Sequence, residues 1–408
     1  MISTLYLGPP GTGKTTRLLA EVEARLRRGL TVVYVSFTRR AAEEAADRAK
    51  AAGLRGRLDC RTLHSLAFRE LGCRRGDVLD WPDYQRLGAA LNLRFARYLD
   101  AEEALAGQQG DGDRLRALVD LAAAECREPE ALGVDPWALR RYAETLAHYK
   151  AETGKRDFND LLLDAVTQAE PLRVDVAVVD EAQDLSQLQW RAARHLFARA
   201  GEVLYAGDDD QAIYRWSGAD VPTFLALPVA RKEVLSTSFR VPRAVQRVAA
   251  AVAGRVRRRY PKPWAARDAA GSVETAGTPD AVDLARPGTY LLLARNGYLL
   301  RVWADACRAA GVPYSVRGKR AVDRGHLRAI RAWEALRRGA PVRPDDAARA
   351  QLQQTLQDTI QHGLTAVQID GSNYQNWLSL AQIYANLAGA NVQGALDSAK
   401  NAYEKAFE

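Results

Sequence analysis

Cysteine is scarce and poorly placed for chemistry. The four in 408 residues, Cys60, Cys73, Cys126 and Cys307, share neither metal-ligand spacing nor a disulfide framework. They read as reduced thiols in a cytoplasmic protein. Long hydrophobic runs are missing as well. The longest, 31–37, 174–179 and 290–294, have the length of buried strands and fall far short of a membrane span. No basic segment leads into an apolar core at the start, so no secretion signal is expected. These absences exclude disulfide-stapled and helical-membrane classes. A hydrophobic content of 47% with 26% charged residues fits a globular chain of two to four domains.

Lysine is rare, nine against 49 arginines, and the net charge of +8 is unevenly spread. Residues 350–408 carry −3, which leaves +11 on the first 349. Such a surplus suits a polyanionic partner, because basic side chains release counterions from phosphates on binding. An arginine preference inherited from a GC-rich genome explains it equally well, so charge alone decides nothing. Composition also breaks near residue 350. Arginine disappears there, and nine Gln and five Asn crowd into 59 residues. The break marks a separate domain or a join between segments of different origin.

What is present begins with Gly8-Pro9-Pro10-Gly11-Thr12-Gly13-Lys14-Thr15, between the apolar Leu5-Tyr6-Leu7 and a helical pattern from Arg17. Strand, glycine-rich loop and helix form the context of a phosphate-binding P-loop. Gly8, Gly11, Thr12, Gly13 and Thr16 would present backbone N–H groups to phosphate, helped by the helix N-terminus. Lys14 would reach the β- and γ-phosphates, and Thr15 would ligate Mg²⁺. Residues 176–184, Val-Ala-Val-Val-Asp-Glu-Ala-Gln-Asp, read as a buried strand ending in two acids. Asp180 would hold Mg²⁺ from the neighbouring strand and Glu181 would polarise the attacking water. Residues 205–219 carry three consecutive acids beside Gln211, then Tyr214 and Trp216 flanking Arg215. Gln211 suits sensing of the γ-phosphate, and the aromatics suit base stacking, worth about 1–3 kcal/mol per base.

Coarse periodicity gives strands at 4–7 and 31–36, helices at 15–28 and 40–51, and helices at 86–99 and 113–126. The α/β signal resumes from 157. A second α/β unit is expected over 230–340, with strands 232–235 and 290–294 and helices 242–256 and 299–310.

Taken in order, these motifs resemble superfamily 1 DNA helicases of the UvrD/Rep type over residues 1–340. The P-loop resembles the family's first motif. Ser36-Phe37-Thr38-Arg39-Arg40-Ala41-Ala42 and Thr62-Leu63-His64-Ser65-Leu66 resemble the two that follow, both on the DNA side. Asp157-Phe158-Asn159-Asp160-Leu161-Leu162 resembles a further family segment. Stretches 180–183 and 207–219 resemble the second and third motifs, and Thr237-Ser238-Phe239-Arg240 the fourth. Leu292-Leu293-Ala294-Arg295-Asn296 and Gly311-Val312-Pro313-Tyr314 resemble part of the second motor domain.

The resemblance implies a P-loop, RecA-like parallel-sheet motor domain (1–70 and 151–230) with a helical insertion (71–150). It further implies a partial second RecA-like domain (231–345). ATP and Mg²⁺ would be the cofactors and single-stranded DNA the partner, with movement 3′→5′. Arg240 would contact the γ-phosphate, while Phe37, Arg39, His64, Tyr214 and Trp216 would engage DNA. Three departures qualify this. Ser217 stands where the family often has arginine, the adenine-reading segment before the P-loop is not matched, and the fifth and sixth motifs are not found. Impaired turnover is therefore expected. The alternative is a non-unwinding, ATP-responsive DNA-binding or scaffold module.

The tail, 350–408, resembles a tetratricopeptide repeat. Trp377, Leu380, Ala381 and Tyr384 keep its spacing, and Ala399, Tyr403 and Ala406 fit a second helix. Residues 350–367 read as an amphipathic helix. An all-α helical hairpin of about one and a half repeats would dock a partner protein, dock the motor, or dimerise.

Overall fold

The computed structural model describes residues 2–37, 39–51, 53, 57–284, 286, 288–309, 312, 314–316, 319, 320, 364, 377, 380, 381, 384 and 395–407. The chain divides into two compact units, Met1–Thr275 and Ala276–Glu408.

The first unit is built on β1 (Ile2–Leu7), β2 (Val32–Ser36), β3 (Leu58–Thr62), β4 (Val176–Asp180), β5 (Glu202–Gly207) and β6 (Arg231–Val234). All pair in parallel, in the order β3-β2-β4-β5-β1-β6. This is the expected α/β, RecA-like class. Side chains alternate between two cores, as a pleated strand requires. Leu5, Leu7, Val33, Val35, Ala177, Val179 and Val203 pack one face. Tyr6, Val32, Tyr34, Val176, Val178 and Leu204 pack the other. Covered on both sides, β2 and β4 are buried at every residue, which is why they read as unbroken apolar runs.

The second face is closed by α1 (Lys14–Leu26) through Leu18, Val22 and Leu26, four residues apart, and by Ala45 of α2 (Arg39–Ala51). The first face is closed by α3 (Leu63–Glu70), α8 (Phe158–Thr167) and α9 (Gln187–Leu196). Reciprocal capping boxes start α8 (Asp157 with Asp160) and α9 (Ser186 with Gln189).

Between β3 and β4 lies the helical segment α4 (Trp81–Leu91), α5 (Ala101–Leu105), α6 (Asp111–Ala124) and α7 (Pro136–Thr153). Leu79, Tyr84, Leu87, Leu91, Tyr142 and Leu146 form its core. The helix expected at 86–99 starts earlier, at Trp81, behind the Asp80/Asp83 capping box and Pro82. It stops at Asn92, which turns left-handed (φ 57°). The helix expected at 113–126 runs Asp111–Ala124. Periodicity overlooked α7, although Asp135-Pro136 opens it and Gly154 closes it.

Two strand readings need correction. The strand expected at 232–235 within a second α/β unit is β6, hydrogen-bonded to β1 at the edge of the first sheet. Its polar sequence, Arg-Lys-Glu-Val, suits an edge exposed to water. Residues 290–294 form no strand. Leu291 and Leu293 are 81% and 77% exposed, and no described strand lies in register to receive them.

The short α10 (Val221–Leu225) precedes β6, and α11 (Arg243–Ala253) follows it. The second unit contains α12 (Leu300–Ala309), an antiparallel pairing of Ser315–Val316 with Lys319–Arg320, and a helix at Ala395–Phe407. Leu380, Ala381 and Ala402 cluster there with Leu364, Trp377 and Tyr384. The helix expected over 350–367 lies outside the described residues apart from Leu364.

Candidate nucleotide cleft and aromatic crevice

The C-terminal ends of β1, β2, β4, β5 and β6 meet at one edge of the sheet, where ligands bind in open α/β folds. Register sets the depth: Leu7 stands beside Gly207 and Val234, and Ser36 beside Asp180. A cavity of about 810 Å³ opens there. Its lining includes Gly11, Thr12, Gly13, Lys14, Thr15 and Thr16 from the loop, with Asp180, Glu181, Gln211 and Arg240. Every expected nucleotide residue but Gly8 lines it, and Gly8 contributes through its carbonyl, which accepts from Lys14 Nζ at 2.8 Å.

Gly11 has φ +73°, and a Cβ there would stand 2.4 Å from the Arg240 Cβ. Only glycine lets the two segments approach so closely. The Arg240 loop is stitched to the P-loop by Ser238 Oγ donating to Pro10 O (2.7 Å) and Phe239 N donating to Gly11 O (2.9 Å).

Thr15 Oγ1 donates to Asp180 Oδ2 at 3.1 Å. Asp180 does not come from the strand adjoining β1, as expected, because β5 lies between them. It meets Thr15 because α1 crosses the sheet from the loop. A hydroxyl beside a carboxylate is a donor set suited to a hard cation such as Mg²⁺, and loop N–H groups with Lys14 suit phosphates. The residues therefore fit both groups. Tyr34 OH also donates to Asp180 Oδ2, at 2.5 Å. Burial, then the charge of Glu181, pushes the Asp180 carboxyl above its usual range. Bound Mg²⁺ would reverse that bias.

Glu181 sits in a left-handed conformation, φ 50°, a strained state for a residue with a side chain. Its carboxylate accepts from Gln183 Nε2 at 3.0 Å. Gln183 also donates to Asp184 and accepts from Asp208 N at 3.0 Å. A Cβ on Gly207 would stand 2.5 Å from Gln183 Oε1, so glycine is required for that contact. Asp184, absent from the expected site, is buried with Oδ1 unpartnered among the described residues. Burial and Glu181 push its carboxyl up to about 7.

A second, smaller cavity of about 210 Å³ is lined by Phe37, His64, Phe158, Asn159, Trp216 and Asp120, among others. The Phe37 and Tyr214 rings lie 5.0 Å apart, Tyr214 and Trp216 6.2 Å, and His64 meets Phe158 edge-on at 5.9 Å. The expected DNA residues Phe37, His64, Tyr214 and Trp216 are thus gathered together. Arg39 is not. It is 89% exposed at the start of α2, paired with Glu43, and lines neither cavity. Burial pushes the His64 imidazole down to about 4, against the pull of Asp157, so it is neutral at pH 7. Burial and Asp157 push the Asp120 carboxyl up to about 7, although its side chain keeps 35% exposure at the crevice mouth. Phe158 lies in a motif that assigns it no role, and Asp120 lies in none, yet both line the crevice.

Among the described residues no group of three or more His, Cys, Asp or Glu is arranged to hold a metal, and no helix could cross a membrane.

Comparison with known proteins accords with this geometry. The sequence profile of the UvrD/REP helicase N-terminal domain matches residues 3–230, and the chain belongs to that family. The chain is similar to the ATP-dependent DNA helicase UvrD2 of Mycobacterium bovis, with 27% identity over 378 residues. That match covers 76% of this chain and 52% of the relative. ATP-dependent DNA helicase PcrA of Bacillus subtilis is 25% identical over 289 residues (65% and 39%). RecBCD enzyme subunit RecB of Mycobacterium tuberculosis is 33% identical over 124 residues (27% and 11%). The chain spans about half or less of the length of these relatives.

Proposed function

We propose that this chain binds ATP with Mg²⁺ and hydrolyses it in response to single-stranded DNA, as motor part of a superfamily 1 helicase or translocase. One observation carries the reading. A single turn after β5 supplies Gln211 to the charged cleft and, five residues later, Trp216 to the aromatic crevice. Base stacking at one end of that turn therefore bears on phosphate chemistry at the other.

Within the cleft, Thr15 and Asp180 would hold Mg²⁺, which supplies charge neutralisation on the phosphates. Lys14 and Arg240 add positive charge where the γ-phosphoryl group departs. Glu181 accepts a proton from the attacking water, and its strained backbone fixes the direction of that carboxylate. Phe37, Tyr214 and Trp216 stack bases, with His64 as a neutral hydrogen-bonding edge. On this reading 1–70 with 151–230 form the first motor domain, extended by β6, and 71–150 is its insertion. Residues 235–275 stay with the first motor domain, 276–345 belong to a partial second one, and 350–408 is a tail for a protein partner.

The test is steady-state ATP turnover at low salt with and without single-stranded DNA. DNA stimulation abolished by Lys14→Ala or Glu181→Gln supports the motor. Turnover indifferent to DNA sinks it, and binding of both ligands without turnover leaves the non-unwinding module.

A further inference from the structure

The three consecutive acids after β5 are held by a segment some fifty residues downstream. Lys262 Nζ lies 3.0 Å from Asp208 Oδ1 and 3.1 Å from Asp210 Oδ2, and is hydrogen-bonded to Asp209 Oδ1. Its side chain is 0% exposed, as is that of Asp208. Arg259 grips Asp210 through two bonds of 2.7 and 2.6 Å, and Tyr260 N donates to Asp209 Oδ2 at 2.8 Å. Burial opposes the charge on Lys262, but Asp208 and Asp209 outweigh it and hold the ammonium above its usual range. A fully buried ammonium is costly unless paired, and this one has three carboxylates.

The arrangement reaches into the cleft through one atom. Gln211 Nε2 donates to Asp208 Oδ2 at 2.5 Å, while Oδ1 of the same carboxylate accepts from Lys262 and from Asp210 N. With one N–H of its amide nitrogen engaged by Asp208, Gln211 has its Oε1 and one further N–H left to offer the cleft. The oxygen is an acceptor suited to a water proton, and the second N–H stays free to donate to a phosphate oxygen while the first is held by Asp208. Lys262 drains charge from the carboxylate that holds it.

We infer that Lys262 is a positioning residue for ATP hydrolysis: through Asp208 it fixes the orientation in which the side-chain amide of Gln211 faces the cleft. The inference rests on the ATPase reading of the cleft. It concerns a segment that no motif contains.

The test is a mutant cycle on the full chain, reading kcat and KM for ATP with saturating single-stranded DNA. Lys262→Met is expected to lower kcat about tenfold with KM within about threefold. In a Gln211→Ala background it should add nothing, because the path through Gln211 is already cut. Wild-type kcat in Lys262→Met, or effects that multiply in the double variant, would overturn the inference, since a merely structural prop acts in both backgrounds. If Lys262→Met does not fold, Asp208→Asn enters the same cycle with the same expected non-additivity. If wild type turns over no ATP, the proposed function fails and a separate readout decides this inference. The Gln211 side-chain amide signal in ¹⁵N-glutamine-labelled protein, identified by its loss in Gln211→Ala, should move in Asp208→Asn and Lys262→Arg. A signal unmoved in both overturns it.

Discussion

The cleft and the crevice sit on the same sheet yet are made in opposite ways. The cleft is wide, about 810 Å³, and assembled from charge, glycine and backbone N–H groups. The crevice is about 210 Å³ and assembled from ring edges contributed by distant segments. Polyphosphate chemistry needs preorganised charge and room for a cation, whereas base stacking needs flat apolar area and little else. Substitutions in one should therefore leave the other's ligand alone, except along the turn that joins them.

The largest expected effect tests that independence directly. Glu181→Gln should lower DNA-stimulated kcat by about 10²–10⁴, while single-stranded DNA affinity without nucleotide, measured by anisotropy, stays at the wild-type value. A parallel loss of DNA affinity would break the comparison. Next comes Asp184→Asn. The Asp184 carboxyl moves from 3.8 in the ordinary state to about 7 in the fold, so wild-type stability falls as pH rises from about 4 to about 7. Asparagine cannot pay that penalty, so thermal melts at pH 8 should show a gain of at most about 4 kcal/mol. The gain should vanish below pH 4. Trp216→Ala should weaken DNA binding by about 1–3 kcal/mol and, because Trp216 stands on the connecting turn, also reduce the stimulation of ATP turnover by DNA. The smallest effect belongs to the exposed edge: Arg39→Ala, outside the crevice and paired with Glu43, should leave the salt slope of DNA binding unchanged. His64→Gln, replacing a group neutral at pH 7, should not change that slope.

How much of this was legible follows from how each site is made. The P-loop is contiguous, so spacing alone placed Gly11 through Thr16, and the apolar run of β4 led directly to Asp180 and Glu181. The crevice was legible only in part. Phe37 and His64 came with motif resemblance and Trp216 with its place beside Tyr214 and Arg215, but Asp120 joins them only because α6 packs into the crevice wall. Lys262 was invisible because nothing local ties it to Asp208, 54 positions earlier, and a lone lysine in an arginine-rich stretch carries no pattern. The sheet edges were hardest. β3 reads Leu-Asp-Cys-Arg-Thr with every residue half-buried, and neither an apolar run nor clean alternation marks it.

The bond between β6 and β1 has a mechanical consequence. With the strand in register from Thr4 to Leu7 and two further hydrogen bonds onto Pro10 and Gly11, the backbone that carries Arg240 belongs to the same frame as Lys14. A lever fastened on both sides of its load cannot pivot there. On the proposed reading, motion driven by nucleotide turnover would hinge farther along the chain than Arg240, with the backbone at that arginine as the abutment.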